Sequence, residues 1–173
     1  MKVFFPLLFV LAIGFTSCKK DKVESDFDKS YDAWQSFKKS SGNNYVYVVT
    51  NGSWIGTVDS TTITVSNGIV INRNYRYYVR AQNGSNKLVL KEEWIEGPAQ
   101  INIHERGAAG LTLDEVYTKA KKEWLKVNEK DNEIYFEAKN NGMISLCGYV
   151  PKGCMDDCFN GISIASIEEV NTF

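Results

Sequence analysis

The sequence predicts an α+β domain in which a mainly antiparallel sheet carries two amphipathic helices. Three observations lead there. Alternating apolar and polar residues recur in short runs separated by Asn-Gly turns, as in TTITVSNGIVIN and NYVYVVTNG. Two segments show helical spacing of apolar residues instead. Aromatic residues make up 13% of the chain and proline occurs only 3 times, which suits an ordered, strand-rich globule.

The chain begins with an apolar run, Val3 to Phe15, behind Lys2. It is too short for a spanning helix, which needs about 20 apolar residues, and has the layout of a secretory signal. The run ends in Phe15-Thr16-Ser17-Cys18 and is followed at once by Lys19-Lys20-Asp21-Lys22. This junction resembles the lipobox of bacterial lipoproteins, with Phe15 standing where that family usually has Leu, Val or Ile. The resemblance implies cleavage before Cys18, diacylglycerol on its sulfur, and a fatty-acylated chain held on a membrane. Two or more acyl chains suffice for stable anchoring, since each buried methylene contributes about 0.8 kcal/mol. Lys19, rather than Asp, after the cysteine implies the outer membrane or cell surface of a Gram-negative bacterium. The alternative is a plain secreted protein with Cys18 in a disulfide. The expected organisation is a signal peptide over 1–17, an acylated, charged tether over 18–29, and one domain over 30–173.

In that domain, Phe27, Tyr31, Trp34 and Phe37 form one stripe of a helix that ends before Ser41-Gly42-Asn43-Asn44. A hairpin turning at Asn51-Gly52 follows. In the next hairpin a two-residue Asn67-Gly68 loop would set Ile63 opposite Asn72. A three-residue loop, Ser66-Asn67-Gly68, is therefore predicted, pairing Val65 with Ile69 and Ile63 with Ile71. Tyr75, Tyr77 and Val79 then face inward, and Asn72, Asn74, Arg76, Tyr78 and Arg80 outward. KLVLKEEWIE gives another strand and INIH a weak one.

The second helix is the best specified element. Thr112 and Glu115 make a capping box, Leu111 and Val116 a hydrophobic staple, and Val116, Ala120, Trp124 and Val127 its buried stripe. A last hairpin around Asn140-Asn141-Gly142 is expected to pair Phe136 with Leu146, placing Cys147 opposite Tyr135 on the polar side. GISIASI closes the sheet. Trp34, Tyr45 and Asn51-Gly52 recur 90 positions later as Trp124, Tyr135 and Asn141-Gly142, which suggests two helix-plus-meander units.

For function, 20 basic against 21 acidic side chains argue against a nucleic-acid partner. Besides Cys18 there are three cysteines. Outside the cytoplasm one disulfide is expected, Cys154 with Cys158, with Cys147 as an alternative partner of either. Their spacing lacks the C-x-x-C of zinc sites, so no metal is assigned. Asp156, Asp157 and Asn160 are a weak calcium candidate without EF-hand spacing. Tyr78 with Arg76 and Arg80, together with Trp54 and Trp94, are candidate contacts for an unknown protein or glycan partner. His104 alternates with Ile101 and Ile103 and is expected to face water. No serine elbow, HExxH, Walker loop or dinucleotide pattern occurs, so no catalytic residue and no cofactor beyond the Cys18 lipid is assigned.

The helix Trp, the Tyr-x-Tyr strand, the I-T-V-S-N-G turn, the capped helix and the terminal C-M-D-D-C-F-N-G loop together resemble a broad family of secreted and lipoprotein domains. That resemblance, over about residues 30–167, implies the fold and no particular activity. The expected role is a membrane-anchored, non-catalytic binding module, with an inhibitor of a secreted hydrolase as the alternative.

Overall fold

The structure, a computed structural model, describes residues 18–53, 56–81 and 87–170, with side chains from residue 21 onward. Seven strands form one antiparallel sheet: β1 (Tyr45–Gly52), β2 (Thr57–Ser66), β3 (Ile69–Arg80), β4 (Leu88–Glu96), β5 (Asn132–Glu137), β6 (Leu146–Pro151) and β7 (Asn160–Glu169). Their spatial order is β4-β3-β2-β1-β7-β6-β5. Helix α1 (Cys18–Ser40) and helix α2 (Leu113–Lys119), the latter continued by a π turn (Ala120–Trp124), supply the side chains that cover one sheet face. The α+β class is as the sequence predicts.

Helix α1 starts earlier than the apolar stripe suggests. The segment 18–29 expected to be a tether lies within it, and Phe27 is buried at 4% exposure. The core gathers Phe27 and Trp34 from α1, Tyr45, Tyr47 and Val49 from β1, Ile63 and Val65 from β2, and Ile162, Ile164 and Ile167 from β7. Leu113, Val116, Tyr117 and Ala120 enter from α2 and its extension.

Buried tyrosines fix where α2 begins. Tyr45 Oη accepts from Leu113 N at 2.8 Å, and Tyr47 Oη donates to the Leu111 carbonyl at 2.6 Å. Tyr117 Oη donates to the Ser30 carbonyl at 2.9 Å and accepts from Ile144 N at 3.2 Å, joining both helices to the β5–β6 connection. The capping box forms as expected, with Glu115 N donating to Thr112 Oγ1 and Thr112 N to Glu115 Oε2. Trp34 Nε1 and Lys38 Nζ both donate to the Asp114 carboxylate, at 2.9 and 2.6 Å, so α1 grips the first turn of α2.

Several registers differ from expectation. Strand β1 runs through Asn51 and Gly52, which pair with Asp59 and Val58, so that hairpin turns later. The β2–β3 turn is the two-residue Asn67-Gly68 loop, both residues at positive φ. A bulge follows, Thr64 facing Asn72 and Val65 facing Val70, which skips Ile71 and sets Ile63 opposite Arg73. Ile69 and Ile71 therefore point away from the core and are 67% and 37% exposed. INIH is no strand: Pro98–Gln100 is a 3₁₀ turn followed by loop.

In the last hairpin Phe136 faces Cys147, not Leu146, and Cys147 is wholly buried, while Tyr135 is exposed. The expectation of Cys147 on the polar side is thus corrected. Two helix-then-meander passages exist, but the first meander runs from the sheet centre outward and the second from the edge inward. Tyr45 accordingly lies in the central β1 and Tyr135 in the edge strand β5.

Candidate functional site

A mostly apolar concavity lies where the early turns of α1 meet the end of the second helix and the edge strand β5. Val23 and Phe27, four residues apart on one face of α1, form one wall. The π turn forms the second. Its wider hydrogen bond, from Leu125 N to the Ala120 carbonyl at 3.0 Å, shifts the helix by one residue and turns Leu125 into the cavity beside Lys121 and Lys126. Ile134 of β5 completes the apolar floor.

Charged side chains of both signs also line the cavity: Glu24, Asp28, Glu129 and Glu133, with Lys121, Lys126 and Lys152. Lys152 Nζ is held by the carbonyls of Glu129 at 2.6 Å and Lys130 at 3.2 Å, which closes the rim, and the Lys121 ammonium sits 6.0 Å from the Phe27 ring centre. The cavity of about 370 Å³ falls in the range, roughly 300–1,000 Å³, of small-molecule sites. None of these lining residues stands out in the sequence as a site. The available signal is Val23, which extends the α1 stripe one turn back from Phe27.

A second unforeseen feature is a buried charge cluster at the β3–β4 end. Arg73 and Glu96 lie opposite each other, each 1% exposed, and pair through Nη1 at 3.1 and 3.0 Å. Arg73 also donates to the carbonyls of His104, Arg106 and Ala108, and Glu96 accepts from the backbone of Asn102 and His104. Burial acts to raise the Glu96 carboxyl, but hydrogen bonds from His104, Arg73 and Asn102 outweigh it and hold the group at about 2. The cluster clamps the 102–108 loop over the sheet. His104, expected in water, is half-exposed, stacked on Trp94 at 4.2 Å with Nδ1 3.0 Å from Glu96 Oε1.

No family model, curated protein or solved structure matches this chain.

The residues singled out in the sequence scatter. Arg76, Tyr78 and Arg80 do share the outward face of β3, with Arg76 Nε on Glu93 Oε1 at 2.6 Å and Tyr78 between Val58 and Leu90. Trp94 lies on the other face, between Tyr75 and His104 with the Arg73 guanidinium 4.7 Å from its ring. It belongs to the clamp rather than to the Tyr78 patch. Trp54 and the side chain of Cys18 lie outside the described residues, as does the segment 1–17.

Cys154 and Cys158 are at disulfide distance, their Cα atoms 6.4 Å apart, and Cys147 is a free thiol. Burial pushes that thiol up to about 12 and also denies it a partner. The loop they close carries Met155 at 99% exposure. The calcium candidates lie in and beside this loop. Asp156 Oδ1 accepts from Asp157 N at 2.9 Å and Asn160 Nδ2 donates to the Cys158 carbonyl at 2.9 Å. Among the described residues no group of three acidic, histidine or cysteine side chains is placed to hold a metal ion, and no helix is long and apolar enough to cross a membrane.

Proposed function

We propose that this chain is a lipid-anchored bacterial envelope protein, carried on a membrane through Cys18, that acts as a non-catalytic binding module for a small amphipathic molecule. The cavity of Val23, Phe27, Leu125 and Ile134 carries the reading. An apolar floor gains free energy by removing an apolar ligand body from water, at about 25 cal/mol per Å² buried, and a rim of both charge signs accommodates a polar end group. The position of the cavity supports display near a bilayer. Val23 is five residues past the start of α1 at Cys18, about 8 Å along a helix axis.

The test uses the full chain with Cys18→Ser, titrated with 8-anilinonaphthalene-1-sulfonate. Saturable one-to-one fluorescence enhancement is expected, weakened at least about tenfold by Leu125→Glu or Ile134→Glu and unchanged by Tyr78→Ala. Binding that ignores the first two substitutions, or never saturates, contradicts the reading.

The disulfide-closed loop favours a second reading, the inhibition of a secreted hydrolase, because Met155 projects fully from a covalently held turn. That reading requires Met155→Ala to abolish inhibition in a screen of secreted glycosidases and proteases.

A further inference from the structure

Strand β4 ends the sheet, and among the described residues its outer edge pairs with nothing. It is unusually apolar for such an edge: Leu88, Val89, Leu90 and Ile95 are 41%, 38%, 45% and 59% exposed. Unpaired edges of this kind recruit another strand. The bulge in β4 says which one.

Glu92 faces Tyr77 and Leu90 faces Tyr78, so Lys91 is the extra residue and the alternation slips there by one. Judged by their β3 partners, Leu88, Leu90, Glu93 and Ile95 lie on the outward face, opposite Arg80, Tyr78, Arg76 and Asn74. Val89, Glu92, Trp94 and Glu96 lie on the covered face, opposite Val79, Tyr77, Tyr75 and Arg73.

We infer that β4 pairs antiparallel with β4 of a second copy of this chain, across a two-fold axis between Lys91 and Glu92. In that register Leu88 meets Ile95 and Leu90 meets Glu93 on the outward face, and Val89 meets Trp94 on the covered face. These three pairs are then matched in face. Moving the register by one residue sets Leu90 against Trp94 and Val89 against Ile95, residues of opposite faces, which a continuous sheet forbids. Moving it by two in one direction sets Leu88 and Val89 against Glu93 and Glu92. Moving it by two in the other sets Glu92 against Glu93, again on opposite faces.

Charge selects the same register. Lys91 of each copy falls opposite Glu92 of the other, giving two ion pairs about the axis, next to the Arg106 that already contacts Glu92. Lysine at a bulge ordinarily repels a visiting strand, and here it meets its counter-ion only in a copy of itself. The interface is isologous and closes at two.

The experiment uses the full chain extracted in mild detergent. Sedimentation equilibrium is expected to show a dimer, and Lys91→Glu to raise its dissociation constant at least about tenfold by setting like charges in opposition. Oxidised Leu88→Cys/Ile95→Cys should form a covalent dimer, while Leu88→Cys alone should not, because the two-fold axis keeps the two copies of position 88 apart. Circular dichroism confirms that each variant folds. A monomer at tens of micromolar, a dimer indifferent to Lys91→Glu, or cross-linking by Leu88→Cys alone overturns the inference.

Discussion

Arg73 and Glu96 face each other across the β3–β4 pair, both 1% exposed, with one guanidinium nitrogen within 3.1 Å of both carboxylate oxygens. Removing one partner leaves an unpaired buried charge. Glu96→Leu is therefore expected to cost about 3–5 kcal/mol of unfolding free energy. The double variant Arg73→Met/Glu96→Leu should recover a large part of that in chemical denaturation.

The same carboxyl makes stability depend on acid. Its group is lowered from 4.5 to about 2 in the folded chain, so the unfolded state binds the proton first as pH falls. The stabilisation is whole above about pH 4.5 and drains away as pH drops toward 2. Denaturation midpoints between pH 6 and 2 should fall more steeply for the native sequence than for Arg73→Met/Glu96→Leu.

Cys147 is buried against Phe136 with its thiol pushed up to about 12. Iodoacetamide at pH 8 should leave it unmodified in the folded protein and alkylate it at once in denaturant. Cys147→Ser should lose about 1–3 kcal/mol, since the site offers a hydroxyl no designed partner.

Gly148 and Gly161 face each other across β6 and β7, and a Cβ on Gly161 would stand 2.2 Å from the Cys147 carbonyl oxygen. The obstacle is backbone, which cannot rotate away. Gly161→Ala should destabilise by about 1–3 kcal/mol or more. Thermal unfolding measures it, with Gly153→Ala, where the space is open but φ is positive, as the comparison.

What the sequence discloses is whatever depends on local pattern. The capping box at Thr112 and Glu115, the buried Tyr75, and Phe27 and Trp34 of the α1 stripe all rest on short-range spacing, and the α+β class follows from them, while Tyr77 and Val79 are only half-buried and Tyr31 is exposed. What it hides depends on one inserted residue. Ile71 reads as core until a bulge turns it outward and brings Arg73 inward, where the charge is tolerable only because Glu96 and three loop carbonyls meet it. The same holds for Cys147, whose face is decided by a two-residue Asn141-Gly142 turn, one residue shorter than the three-residue loop read from the sequence. The cavity is hidden for a further reason. Val23 sits in a charged run that reads as solvated, and the π turn that presents Leu125 has no sequence signature.

The central claim is that this domain is displayed from a bilayer by its cysteine, and intact-mass analysis of the membrane-extracted protein tests it most directly. A chain beginning at Cys18 and carrying diacylglycerol, lost to the soluble fraction on Cys18→Ser, is the result expected. An unmodified Cys18, or a mature chain that starts elsewhere and stays in solution, would contradict it.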